Sequence, residues 1–277
     1  MNPAALRATA GRWRAEGRAA VVVTVGSTRG SVPRESGTRM LVSAGEVIGT
    51  IGGGHLELQA VADARRLLAE GGVAHQQHVA LGPTLGQCCG GALDLRFSRL
   101  ADEDPAAWPA PAPRFQLQLY GAGHVGRAIV RLLADIPCRV WWIDERESEF
   151  PPEPLPPHIE RVCVEPVEGE VAAAPPGCCY LVLTHSHDLD LALAQAILAR
   201  GDFGFFGLIG SATKRARFEH RLLARGFPAA ALARMACPIG LPGIEGKEPE
   251  LIAIATVAQL LQQQPQPGAL AGLVDKA

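Results

Sequence analysis

Two stretches of this sequence put residues where they could do chemistry. Gly121-Ala-Gly123-His124-Val-Gly126 has the spacing G-x-G-x-x-G, and LGPTLGQCCGGALDL, residues 81–95, sets Cys88 and Cys89 beside Gly90 and Gly91. Glycines at the first spacing let a backbone approach a phosphate at a helix start, where unpaired N–H groups and the helix dipole attract an anion. Asp144, closing the next apolar run, is the acid that would accept from ribose hydroxyls; an acid there, rather than an arginine, favours an unphosphorylated ribose. The plainer alternative is a scaffold of the same shape that holds no dinucleotide.

The adjacent thiols admit fewer roles. Consecutive Cα atoms lie about 3.8 Å apart, short of the roughly 4.4–6.8 Å usual for a disulfide, so a vicinal bond would be strained. No C-x-x-C pair is present for a structural zinc site. His55-Leu-Glu57 imitates the H-x-E of a zinc deaminase, but the matching P-C-x-x-C is missing. Two small buried hydrophobes would be the bland reading. The flanking glycines favour an approachable loop, on which a thiolate can ligate a soft metal or a sulfur-rich cofactor, or carry a persulfide. Cys178 and Cys179 open an apolar strand and are assigned to packing.

Other loops offer anion-friendly groups. Gly52-Gly53-Gly54 precedes a helix start, so its amides could converge on an oxyanion. Thr24 to Arg29 and Pro33-Arg34-Glu35 add hydroxyls and two guanidinium groups suited to planar or anionic ligands. Thr184-His185-Ser186-His187-Asp188 lies where a strand gives way to a helix. Ser186 or Asp188 would cap that helix, and His185 with His187 could form a metal pair only if the strand continued. Ser211 offers a second cap, with Lys214 or Arg215 facing either an anion or solvent.

The elements that must position these groups alternate in a readable way. Residues 1–99 carry short β-branched strands, one helix over 55–72 and an amphipathic N-terminal helix with Leu6 and Trp13 on one face. That is a small mixed α+β domain. LADEDPAAWPAPAPR, residues 100–114, reads as an extended linker. Residues 115–264 alternate strand and helix, which predicts an α/β, Rossmann-like doubly wound parallel sheet; residues 265–277 are a Pro/Gly-punctuated tail. Of the 277 residues 48% are apolar, and the formal net charge is −2, which gives no reason to expect nucleic-acid or anionic-membrane binding. No apolar run reaches the length of a membrane span. Seven cysteines without a secretory leader suggest reduced thiols in the cytoplasm.

Taken together, TVGSTRGSVPRESGTRMLV, GTIGGGHLE, LGQCCGG, LYGAGHVGRA, THSHDLDL, GLIGSATKRARF and CPIGLPGIEGKEPELIAIA resemble the XdhC/CoxI family of xanthine dehydrogenase accessory proteins, from about residue 19 to residue 262. The resemblance implies binding of the molybdenum cofactor, its protection while a cysteine desulfurase replaces an oxo by a sulfido ligand, and delivery to apo-xanthine dehydrogenase by a homodimer. Thiolates at Cys88 or Cys89 would suit the molybdenum of molybdopterin. Its phosphate would suit either Gly52–Gly54 or the turn of Gly121, Gly123, His124 and Gly126. Two alternatives stay open: an NAD-dependent oxidoreductase built on that turn and Asp144, with His124 and His185 as the nearby acid/base candidates, and a sulfurtransferase carrying a persulfide on Cys88 or Cys89.

Overall fold

Alternating valines shape the first unit. The protein is described by a computed structural model over residues 3–81, 90–109 and 112–263. Strands β1 (Ala20–Arg29), β2 (Arg39–Ser43), β3 (Val47–Gly49), β4 (His75–Ala80) and β5 (Ala92–Arg99) form an antiparallel sheet in the order β3-β2-β1-β5-β4. Side chains one residue apart in a strand face opposite ways. Val21, Val23 and Val25 therefore pack beneath helix α2 (Gly54–Glu70), against its Leu56, Ala60, Ala64 and Leu67. Ala20 and Val22 face the other side, where helix α1 (Pro3–Ala15) seats Leu6, Ala10 and Trp13. The N-terminal helix is thus a layer of this unit, with the face its sequence predicts.

The 100–114 stretch departs from the extended linker its composition predicts. Leu100–Asp102 and Pro105–Ala107 are short 3₁₀ turns, and Leu100 and Trp108 are buried with Leu6 and Trp13. Glu103 fastens the segment: its carboxylate accepts from Ser98 Oγ at 2.6 Å and from Trp108 Nε1 at 3.0 Å. Two apolar anchors and one paired acid outweigh a proline-rich composition. The division between the two compact units falls after Pro111.

In the second unit β6 (Gln116–Tyr120), β7 (Arg139–Asp144), β8 (Ile159–Cys163), β9 (Cys179–Val182), β10 (Phe205–Leu208) and β11 (Met235–Ala236) run parallel. Their order, β11-β10-β9-β6-β7-β8, reverses direction between β6 and β9 and is the doubly wound Rossmann order. Helices α3 (His124–Leu133) and α8 (Pro249–Gln262) cover one face; α5 (His187–Arg200) and α6 (Ala212–Leu223) cover the other. Two shorter helices, α4 (Glu170–Ala173) and α7 (Ala229–Ala233), have too few residues to show a period in the sequence. The Cys178–Cys179 pair splits between the faces, Cys178 toward α5 and Cys179 toward α3, and both are buried. Burial pushes the Cys178 thiol up to about 12. These are packing cysteines, as read.

Docking of the 100–109 segment predicts that Trp108→Ala costs the N-terminal unit roughly 3–5 kcal/mol in urea unfolding. Exposed Pro109→Ser should stay within about 0.5 kcal/mol. Equal midpoints for the two variants would contradict the docking.

Candidate functional site

The turn from β6 into α3 is built by backbone packed on backbone. Gly121 has φ +117°, and a Cβ there would stand 2.3 Å from the carbonyl oxygen of Leu183, just beyond β9. A Cβ on Gly126 would stand 2.1 Å from the carbonyl oxygen of Gly121. Neither position can carry a side chain without moving main chain. Gly123 differs, since nothing lies within 4 Å of where its Cβ would be. That open space sits at the helix start, between strands where the sheet order reverses, the place at which open α/β sheets bind ligands.

The helix starts along this edge are not equivalent. Ser186 Oγ accepts from the Leu189 amide at the head of α5, and Ser211 Oγ accepts from the Lys214 amide at the head of α6. The head of α3 is capped by Gly123, which has no side chain to accept from its amides. His124 is its first residue and is exposed. Beside this turn lies a shallow cleft open to solvent, lined by Gly121, Asp144 and Glu145 on one side and by Thr184, His185 and Leu189 on the other. His185 Nε2 stands 3.5 Å from Glu145 Oε1 across it.

Asp144, the candidate ribose acceptor, is already engaged by the protein. Its Oδ2 accepts from the Ala122 amide at 2.7 Å and from Arg146 Nη2 at 2.9 Å. Oδ1 accepts from the Arg146 amide at 3.0 Å and from Arg146 Nε at 2.9 Å. Burial opposes ionisation, but the Arg146 side chain and the two amides outweigh it and hold the carboxyl below its ordinary value. The sequence carries a signal for this pairing in the run Asp144-Glu145-Arg146, which sets a guanidinium two residues after the acid.

Lys214 also departs from the anion-facing role offered to it. It is buried, its Nζ donating to Asp190 Oδ2 at 2.5 Å and to the Ile209 carbonyl at 2.8 Å. Asp190, fully buried, further accepts from the Thr184 amide and hydroxyl at 3.1 and 2.7 Å. This pair ties the β9–α5 turn, which carries His185, to the head of α6. Arg215 turns to Glu219 and the Cys237 carbonyl. His187 is exposed on the first turn of α5; among the described residues no three His, Cys, Asp or Glu side chains group to hold a metal ion.

In the N-terminal unit the loops singled out in the sequence pack on one another. A Cβ on Gly52 would meet the Pro33 ring at 2.5 Å, and one on Gly91 would meet the carbonyl oxygens of Ser31 and Arg29 at 2.4 and 2.5 Å. Gly52, Gly53 and Gly54 all have positive φ. Their turn is already supplied with acceptors: Glu57 Oε2 takes the Ile51 and Gly53 amides at 3.0 and 3.1 Å, and Thr50 Oγ1 takes the Gly52 amide. The oxyanion expected there is, in large part, the protein's own glutamate. Arg34 is exposed. Gly90 is exposed, and the Leu81 amide donates to the Gly91 carbonyl at 2.8 Å, closing the base of the loop between β4 and β5. Cys88 and Cys89 lie outside the described residues.

The profile of the XdhC Rossmann domain matches residues 117–260, and that of the XdhC and CoxI family matches residues 13–79. The chain belongs to the XdhC/CoxI family. It is 30% identical over 247 residues to the uncharacterized protein YqeB of Escherichia coli K12, covering 85% of this chain and 42% of that protein. The chain therefore spans less than half the length of this curated relative. A crystal structure of a xanthine dehydrogenase from Bacillus halodurans shares the fold, with a TM-score of 0.71 at 18% identity, over 97% of this chain and 98% of that one. The XdhC Rossmann match takes in the glycine turn, Asp144 and the Asp190–Lys214 pair. The cysteine loop falls between the two matched ranges.

Two outcomes follow for this XdhC-type crevice. Lys214→Ala leaves Asp190 charged, buried and unpaired, and should cost about 3–5 kcal/mol in denaturant unfolding. The Asp190→Leu/Lys214→Met double variant should recover most of that loss, and equal losses in both would refute the assignment. Because Asp144 has a depressed native pKa, the stability it contributes is present above the ordinary aspartate range and lost as pH falls through the lower native value. Asp144→Asn should therefore be less stable than wild type at neutral pH, and the gap should close below about pH 4. A gap that persists unchanged to pH 3 would contradict the sign.

Proposed function

We propose that this chain is an accessory protein of xanthine dehydrogenase maturation: it holds the molybdenum cofactor while a cysteine desulfurase exchanges its oxo ligand for sulfur, and passes it to the apo-enzyme. The single observation that carries the reading is the α3 turn of an XdhC-family Rossmann unit, with side-chain-free space over Gly123 and a cap residue that offers its helix no side-chain acceptor.

The cargo brings a dithiolene-bound molybdenum, a planar pterin and a terminal phosphate. The phosphate is assigned to the turn of Gly121, Gly123, His124 and Gly126. Backbone amides can hold a phosphate at that helix head by hydrogen bonds and the helix dipole. Gly121 and Gly126 hold the turn against Leu183 so that those amides are in place before the ligand arrives. His124, exposed at the first position of the helix, adds a ring N–H donor. His185 and Glu145 flank the cleft mouth. A site of amides with one exposed histidine is suited to a cargo that must leave again. Arg34 suits the planar or anionic part of a ligand, and Cys88 and Cys89, with Gly90, are assigned to the molybdenum on the chemistry of thiolates. The working form is assigned as a homodimer in the cytoplasm.

The test is molybdenum analysis with pterin fluorescence on protein purified from a host that makes the cofactor. Wild type should retain both metal and pterin. Gly123→Val, which fills the open space, should lower retention about tenfold with an unchanged circular dichroism spectrum. Cys88→Ala and Cys89→Ala should lower retained molybdenum. Full retention in Gly123→Val would refute the phosphate assignment, and full retention in the double cysteine variant would refute the thiol role.

A further inference from the structure

We infer that Arg146 makes the crevice a reader of a terminal phosphate that rejects the adenosine half of a dinucleotide. The inference rests on the reading of the α3 turn as a phosphate seat and goes beyond it, by naming what the site excludes and which residue excludes it.

In a dinucleotide site of this fold, the acid after the second strand receives hydroxyls of the adenosine ribose, or a nearby arginine receives a 2′-phosphate. Both devices are consumed here. A carboxylate has about four lone-pair positions, and Asp144 has four donors: the Ala122 amide and Arg146 Nη2 on one oxygen, the Arg146 amide and Nε on the other. A ribose diol would have to displace charge-assisted bonds, which are stronger than the neutral ones it offers in return. Arg146 is equally committed. Its Nε and Nη2 face Asp144, its Nη1 stands 3.5 Å from Glu149 Oε1, and Glu145 adds a third nearby negative charge. A 2′-phosphate would enter among carboxylates.

The arrangement closes on itself. Arg127, on the second turn of α3, donates through Nη2 to Glu149 Oε2 at 2.8 Å and to the Glu149 carbonyl at 2.7 Å. Glu149 faces Arg146, Arg146 holds Asp144, and Asp144 holds the Ala122 amide inside the glycine turn that starts α3. The ring spans the β7 side of the crevice, where an adenosine would lie. The β9 side, with Thr184, His185 and Leu189, is left for the rest of the ligand.

Removing the Arg146 side chain would vacate one position on each Asp144 oxygen while the two amides stay. That is the acceptor pair a vicinal diol requires. The experiment is isothermal titration of the full chain with ADP-ribose and with NAD, on wild type and on Arg146→Met, which keeps apolar bulk but no donor. Wild type should give no saturable heat up to about 1 mM ligand. Arg146→Met should bind ADP-ribose at least about tenfold more tightly than wild type, and adding Asp144→Asn should abolish the gain. Micromolar binding of either ligand to wild type would overturn the inference, and that arm needs no variant to fold. A cooperatively folded Arg146→Met with no gain would overturn it too. Failure of the phosphate seat itself would register separately, as cofactor retention unaffected by Gly123→Val.

Discussion

The approach of main chain to main chain at Gly121, Gly126 and Leu183 is the constraint on which the rest of the C-terminal unit depends. Candidate Cβ positions at 2.1 and 2.3 Å from carbonyl oxygens leave no room for any other residue at 121 or 126. That closeness draws the head of α3 onto the edge where the sheet order reverses, between β6 and β9. From there the helix starts beside the crevice, with nothing within 4 Å of where a Cβ on Gly123 would stand. Everything assigned to the site, from the placing of a phosphate to the siting of His124 and His185, follows from that one steric fact.

Around this turn, polar groups satisfy one another almost completely. Asp190 and Lys214 hold the two adjacent strand-to-helix turns together in the interior. Asp144 and Arg146 lock the end of β7 to Ala122. In the N-terminal unit Glu57 fills the Gly52–Gly54 turn with a carboxylate from its own helix. Two glycine turns that look alike in the sequence therefore differ physically. At the first, the Glu57 carboxylate takes the amide of the cap residue Gly53 itself; at the second, the Asp144 carboxylate takes the amide of Ala122, one residue before the cap Gly123. An external phosphate would compete with a carboxylate for the cap amide at the first turn, whereas at the second the carboxylate stops one residue short of the cap, so the second is favoured.

The sequence made most of the architecture legible because its signals were strong and local. Strand and helix alternation after residue 115 predicted the doubly wound sheet, and Leu6 with Trp13 predicted the buried face of α1. The glycine turn was legible for the same reason, since its spacing reports a backbone constraint. Side-chain pairings were not. Asp190 and Lys214 are 24 positions apart, and nothing local says that a lysine at a helix head turns inward. Trp108 sits in a proline-rich run whose composition masks one apolar anchor. Asp144 was assigned by its place in a motif, while its occupancy is decided by Arg146 two residues later. Periodicity records faces; it does not record which charges meet.

The account stands on the head of α3 being the seat of the cargo's phosphate. The most direct measurement is the change in backbone amide resonances between cofactor-loaded and unloaded protein labelled with nitrogen-15. The account predicts the largest shifts at the amides of Gly123, His124 and Val125, with those of Ile51 and Gly53 unmoved. Large shifts at Ile51 and Gly53, with the head of α3 undisturbed, would contradict it.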